Sequence, residues 1–148
     1  MAIAVGDDAP PVEGATREGP HALVFFKVTC STTQLATPAI ERLARAFPGR
    51  VVGIGQDPDD ALRRFADAYE LSLPLVADLD PYVASDAYGI GSAPTAVAID
   101  AEGRVLDVAE SWDREAWNRL AASLAGEMEL PAPSVSDPDD GLPDFKPG

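Results

Sequence analysis

Apolar residues along this chain alternate between two spacings, and the alternation predicts strands interleaved with helices. From Ala22 to Val28 the chain is apolar except at Lys27, bounded by Gly19-Pro20 and Cys30, which reads as a buried strand. From Thr33 to Phe47, Leu35, Ala36, Ile40, Leu43, Ala44 and Phe47 recur at helical spacing, with Arg42 and Arg45 on the outer face. Pro38 inside this helix removes an N–H and crowds the preceding turn, so a kink is expected there. Pro48-Gly49 ends the helix, and Arg50 to Gly55 reads as a second buried strand. Asp57-Pro58-Asp59-Asp60 then supplies a cap, a first-turn proline and acids that complement the dipole of a helix running to about Tyr69. A short strand at Leu73 to Ala77 and a short helix from Asp80 to Tyr88, ended by Gly89, come next. Pro94 to Asp100 is a strand, Ala101 to Arg104 a hairpin turn and Val105 to Ala109 its antiparallel partner. A last helix is expected from around Trp112 to Gly126, with Trp117, Leu120 and Leu124 on its core face and Trp112 off it.

This order predicts an α/β fold: a central mixed β-sheet with parallel strands joined by right-handed crossovers, an antiparallel edge, and helices on both faces. The expected core is Leu23, Phe25, Ile40, Val52, Ile54, Val97, Ile99 and Leu120. The stretch up to His21, rich in Pro, Gly and acid, reads as an irregular lead-in with at most one short strand, and His21 as an exposed turn residue. Residues 1–130 are read as one domain. Residues 131–148, dense in Pro and Asp, are read as a disordered or loosely laid tail.

A chain of 148 residues with 46% hydrophobic residues is sized for a single domain with its own core. Its formal net charge of -14 repels nucleic-acid phosphates and anionic lipid, which excludes partners that bind through a basic surface. No window resembles a membrane span, and the N-terminus from Met1 to Asp8 lacks the basic start and apolar core of a signal peptide, so a cytoplasmic location is expected. The acidic clusters Asp57 to Asp60, Asp78 to Asp80 and Asp137 to Asp140 lack the glycine and ligand spacing of a calcium loop. Gly53-Ile-Gly55 lacks the third glycine of a dinucleotide fingerprint and runs into acid. Neither a metal nor a cofactor is expected.

Cys30 carries the chemistry that is left. It is the only cysteine, so an internal disulfide is excluded, and it stands where the first strand hands over to the first helix. A helix start offers unpaired N–H groups and a partial positive charge, both of which favour thiolate over thiol.

The segment from Val24 to Pro38 (Val-Phe-Phe-Lys-Val-Thr-Cys-Ser-Thr-Thr-Gln-Leu-Ala-Thr-Pro) resembles the active-site segment of the thioredoxin-like superfamily. There a strand ends in Cys-x-x-Cys and a helix follows with a kinking proline five residues after the second cysteine. Tyr88 to Val105 resembles the family's second signature, a cis-proline loop followed by a hairpin with a glycine turn. The stretch between is similar to the redoxin branch, which includes thiol-disulfide oxidoreductases and peroxiredoxins. The resemblance spans roughly Val5 to Gly126 and implies a thioredoxin fold, a cis-Pro94 loop beside Cys30, and disulfide chemistry with a protein or low-molecular-weight thiol. It departs from the pattern at Thr33, which stands in the second cysteine's place. Lys27 and Leu23 replace the threonine and proline of a peroxiredoxin site, and Val24 replaces the buried acid of many thioredoxins.

A monothiol site is therefore expected: Cys30, Thr33 and Pro94 as its reacting and shaping residues, with Thr29 and Ser31 as further hydrogen-bond donors. Ala93 and Thr95 would line the groove for an extended substrate strand. The alternative is a redox-inactive module that uses the same groove to hold a peptide, with Cys30 an incidental small hydrophobe.

Overall fold

The computed structural model describes residues 2–148. Five strands form the central sheet: β1 (His21–Phe26), β2 (Val51–Gly55), β3 (Leu75–Ala77), β4 (Thr95–Ile99) and β5 (Val105–Glu110). Their order is β3-β2-β1-β4-β5. β1 pairs in parallel with β2, β2 in parallel with β3, and β4 runs antiparallel to both β1 and β5. The expected mixed sheet is thus present, with β1 at its centre and buried on both faces.

Helices α1 (Ser31–Ala46), α2 (Asp59–Tyr69) and α4 (Arg114–Glu127) cover one face, where Ala22, Val24, Ile40, Leu43, Trp117, Leu120 and Leu124 pack together. The short helix α3 (Val83–Ala87) and the N-terminal lead-in cover the other face, over Leu23, Phe25, Val52, Ile54, Val97 and Ile99. All eight expected core residues are buried. Gly53 and Gly55 serve this packing: a Cβ on Gly53 would come within 2.6 Å of Leu75, and one on Gly55 would strike Leu62 of α2. Close approach of neighbouring elements to β2 explains the glycine pair that faintly suggested a nucleotide loop.

Four expectations are corrected. His21 is buried at the start of β1, because a strand covered on both faces buries every position. Asp57 does not cap α2; its carboxylate accepts from Val28 N at 2.9 Å, and Pro58 takes the cap position. Trp112 lies outside α4, in the two-residue strand β6 (Trp112–Asp113), and is as fully buried as Trp117, 5.8 Å away between ring centroids. Asp113 caps α4 instead, accepting from Ala116 N at 3.1 Å.

The fourth correction concerns the segment after Pro131, which lies on the surface with most residues exposed but is tied down by specific hydrogen bonds. Val135 and Ser136 are buried, and Asn118 of α4 bonds both: Val135 N donates to its Oδ1 at 2.8 Å, and its Nδ2 donates to Ser136 O at 2.9 Å. Asp140 accepts from Ser136 Oγ, Leu142 N and Arg42, while Trp112 Nε1 donates to Pro143 O at 2.7 Å. Buried Arg114 donates to Leu142 O at 2.6 Å and pairs with Asp140 and Asp144. A final strand β7 (Phe145–Lys146) then pairs antiparallel with β6.

Candidate active site around Cys30

The site is assembled where β1 ends and α1 begins. A turn from Lys27 to Cys30 joins them, closed by Cys30 N donating to Lys27 O at 3.2 Å and braced by Gln34 Nε2 donating to Val28 O at 2.9 Å. Cys30 is the N-cap of α1, with extended backbone (φ -79, ψ 121), and its side chain is half-buried. At an N-cap the side chain faces the N–H groups two and three residues on, here Thr32 and Thr33. In the thiol form no capping hydrogen bond is made; Sγ donates to Ala93 O at 3.4 Å instead. Ala93 precedes Pro94 through a cis peptide bond, as the sequence resemblance implies.

The Cys30 thiol is held below its ordinary pKa. Burial alone pushes it up, but the backbone N–H and hydroxyl of Thr33, then those of Thr32, together outweigh burial by favouring the thiolate. Thr33 Oγ1 is fully buried and has no hydrogen-bond partner among the described residues, so this hydroxyl stands near the sulfur uncommitted. Thr32 Oγ1 donates to Pro147 O at 2.7 Å.

Of the other expected residues, Thr29 is exposed, and Ser31 Oγ accepts from Lys146 Nζ at 3.2 Å. Thr95 is buried and donates to Ser92 O at 2.9 Å, shaping the loop before the cis-proline. Lys27 is exposed at the rim. The sequence reading overlooked Thr32, although the N-cap rule singles out residue two of the helix as readily as residue three. It also overlooked Ser111, whose hydroxyl accepts from Gly148 N at 3.0 Å.

A cleft of about 290 Å³ opens beside the sulfur, lined by Lys27, Gln56, Ile90, Ser92, Ala93 and Gly148 among others. Elsewhere, Asp100, Glu102 and Glu127 bring carboxylate oxygens within 4.8 Å of one another at the surface. Asp100 there already serves the hairpin turn, accepting from Glu102 N and Arg104 N at 2.9 Å each.

Residues 6–108 match the AhpC/TSA family, well over half of the chain. The chain belongs to the AhpC/TSA family. This AhpC/TSA protein is 32% identical over 90 residues to the thiol-disulfide oxidoreductase ResA of Halalkalibacterium halodurans, a match covering 58% of this chain and 51% of ResA. The matched stretch is thus about half the length of that relative. Among solved structures it resembles a secreted disulfide oxidoreductase of Mycobacterium tuberculosis homologous to Escherichia coli DsbE. That pair has a TM-score of 0.63 at 23% identity, over 83% of this chain and 95% of the other. It also resembles MTB DsbF, with a TM-score of 0.61 at 25% identity, over 73% of this chain and 80% of that one. The thioredoxin-like architecture expected from the sequence is the architecture found.

Proposed function

We propose that this protein is a thiol-disulfide oxidoreductase that works through Cys30 alone. The observation that carries the reading is the placement of Cys30. Cys30 holds the N-cap position of α1, its sulfur lies 3.4 Å from the carbonyl oxygen before cis-Pro94, and its thiolate is favoured by Thr33 and Thr32. In the first step the Cys30 thiolate attacks one sulfur of a substrate disulfide. A Cys30–substrate disulfide forms, the substrate S–S bond breaks, and the departing sulfur leaves as a thiolate that takes up a proton from solvent. In the second step a low-molecular-weight or protein thiolate attacks the substrate sulfur of the mixed disulfide, which frees Cys30 as thiolate and leaves a disulfide between the incoming thiol and the substrate. Electrons balance, since one disulfide is exchanged for another at each step. Thr33 occupies the position from which a second cysteine would resolve the intermediate, so the resolving thiol comes from outside.

Two measurements test this. The rate of Cys30 alkylation in the folded protein should titrate with a midpoint below about 8.5, the ordinary cysteine value. A midpoint at or above it refutes the redox reading and leaves a groove without a working thiol. With a peptide disulfide the protein should stop as a mixed disulfide visible by intact mass, and Thr33→Cys should release it by closing a ring one helical turn from Cys30. If Thr33→Cys holds its substrate as firmly as the parent chain, the assigned geometry is wrong.

A further inference from the structure

The last residues of the tail run into the active site. Beyond β7, Lys146 Nζ donates to Ser31 Oγ at 3.2 Å, Thr32 Oγ1 donates to Pro147 O at 2.7 Å, and Gly148 N donates to Ser111 Oγ at 3.0 Å. Gly148 lies so close to Ala93 that a Cβ on it would run into the Ala93 carbonyl, the same oxygen that accepts from Cys30 Sγ. Two of these contacts are to main-chain atoms of the tail, and the residue against Ala93 has no side chain. The segment is therefore held as an extended backbone along α1 and the cis-proline loop, beside the only nucleophilic sulfur in the chain.

Its approach is fixed by the anchors upstream. Arg114 N donates to Asp144 O at 3.0 Å, Trp112 holds Pro143 O, and β6 pairs with β7 in the register Trp112 to Lys146 and Asp113 to Phe145. These contacts deliver Pro147 and Gly148 to the groove at an effective concentration on the millimolar scale typical of short tethers.

From these contacts we infer that Phe145–Gly148 is a built-in occupant of the Cys30 groove, held where an extended polypeptide substrate binds, so that substrate enters by displacing it. The inference depends on the proposed redox function only for the chemistry after binding. For the groove itself it names the ligand class: an extended peptide recognised through its main chain, with a residue lacking a bulky side chain against Ala93. A tethered occupant at millimolar effective concentration weakens any free peptide that competes for the same contacts.

The test uses the synthetic peptide Asp-Phe-Lys-Pro-Gly, which contains no sulfur, and follows backbone amide NMR shifts at Ser31, Thr32, Ala93 and Ser111. Three proteins are compared: the full chain, a variant from which residues 145–148 are removed, and the full-length variant Gly148→Leu. Removal of 145–148 leaves the Trp112–Pro143 and Arg114–Asp144 anchors in place, and Gly148→Leu drives the end of the tail off Ala93 and Ser111, since its Cβ would run into the Ala93 carbonyl. Both variants should bind the peptide at least tenfold more tightly than the full chain, with shifts confined to the groove. Equal binding by all three proteins, or no binding by either variant, overturns the inference. If the shortened variant fails to fold, Gly148→Leu alone decides. The redox reading fails separately: peptide binding with a Cys30 that resists alkylation removes the chemistry and keeps the occupant, whereas a reactive Cys30 in a groove that never takes the peptide does the reverse.

Discussion

Replacing Thr33 by valine should stabilise the fold and make Cys30 less acidic, two effects that a purely structural threonine would not couple. Thr33 is fully buried, and its Oγ1 has no hydrogen-bond partner among the described residues. A buried hydroxyl left unpaired costs about 1–3 kcal/mol, and valine fills nearly the same space without that cost. A gain of about 1–2 kcal/mol is expected, or roughly 2–6 °C in Tm for a domain of this size. The same hydroxyl is among the groups that lower the Cys30 pKa. A hydrogen bond that favours the charged form is lost with the hydroxyl, so the thiol pKa should rise.

The kinetic consequence is smaller than the thiolate fraction alone suggests, because a more basic thiolate is also the better nucleophile. With a Brønsted slope near 0.4–0.5, alkylation at neutral pH should fall, though by less than the thiolate fraction does, while the rate at the alkaline plateau rises. The assay pairs urea denaturation with the pH profile of iodoacetamide alkylation. Linkage adds an internal check. The folded-state pKa of Cys30 lies below its unfolded value, so the stability from its thiolate is present above about 8.5 and is lost as pH falls through the folded pKa. Valine's advantage should therefore be largest near neutrality and shrink at alkaline pH, where the wild-type thiolate draws on the hydroxyl. Unchanged stability with an unchanged titration midpoint would refute the reasoning, as would a loss of stability.

Two further outcomes are expected. His21 is buried, with Nδ1 donating to Gly19 O at 2.9 Å and Nε2 accepting from Arg17 N at 3.4 Å, and burial chiefly pushes its pKa down. The unfolded chain therefore takes up a proton near pH 6.5 that the native chain refuses, so stability should fall as pH drops below about 6.5; this loss should vanish in His21→Asn, and an unaltered pH slope would exclude His21 as its source. Arg114→Met should cost about 1–3 kcal/mol, because buried Arg114 no longer donates to Leu142 O and Ser136 Oγ or pairs with Asp140 and Asp144, while Asp140 keeps Arg42, Ser136 and Leu142 N. Limited proteolysis should then cut within residues 137–148, and a variant as resistant as the parent would mean the tail is held by other contacts.

The sheet and the thiol's position are legible in the sequence because both rest on local patterns. Continuous apolar runs mark β1 and β2, helical spacing marks α1, and the order of the two family-like segments places cis-Pro94 beside Cys30. Trp112 and His21 mislead for a shared reason. Local spacing assigns Trp112 to a helix, yet Ser111, at a positive φ of 59°, turns the chain just before β6. His21 follows a Gly-Pro pair that looks like a turn, yet it is already the first residue of a doubly covered strand. The anchored tail is beyond local reading. Its composition is that of a solvated segment, and its anchors are Trp112, Arg114, Asn118 and Arg42, seventeen or more positions away along the chain. Low hydrophobicity predicts disorder only when the groups it must pair with are not already fixed by another part of the fold.

The two least legible features, Thr32 and the tail, meet at one proton. Thr32 Oγ1 has a single hydrogen, which it gives to Pro147 O while the tail is docked, yet its hydroxyl is also among the groups that favour the Cys30 thiolate. It cannot serve both acceptors at once. With the groove occupied, the thiolate is left to the N–H groups of Thr32 and Thr33 and the unpartnered hydroxyl of Thr33; with the groove empty, it gains a further donor. Thermodynamic reciprocity makes this mutual: a tail that withholds the Thr32 proton weakens the thiolate, so a thiolate that captures it weakens the tail by the same factor. On the proposed reading, the sulfur becomes most acidic when its built-in occupant has left and a substrate can reach it.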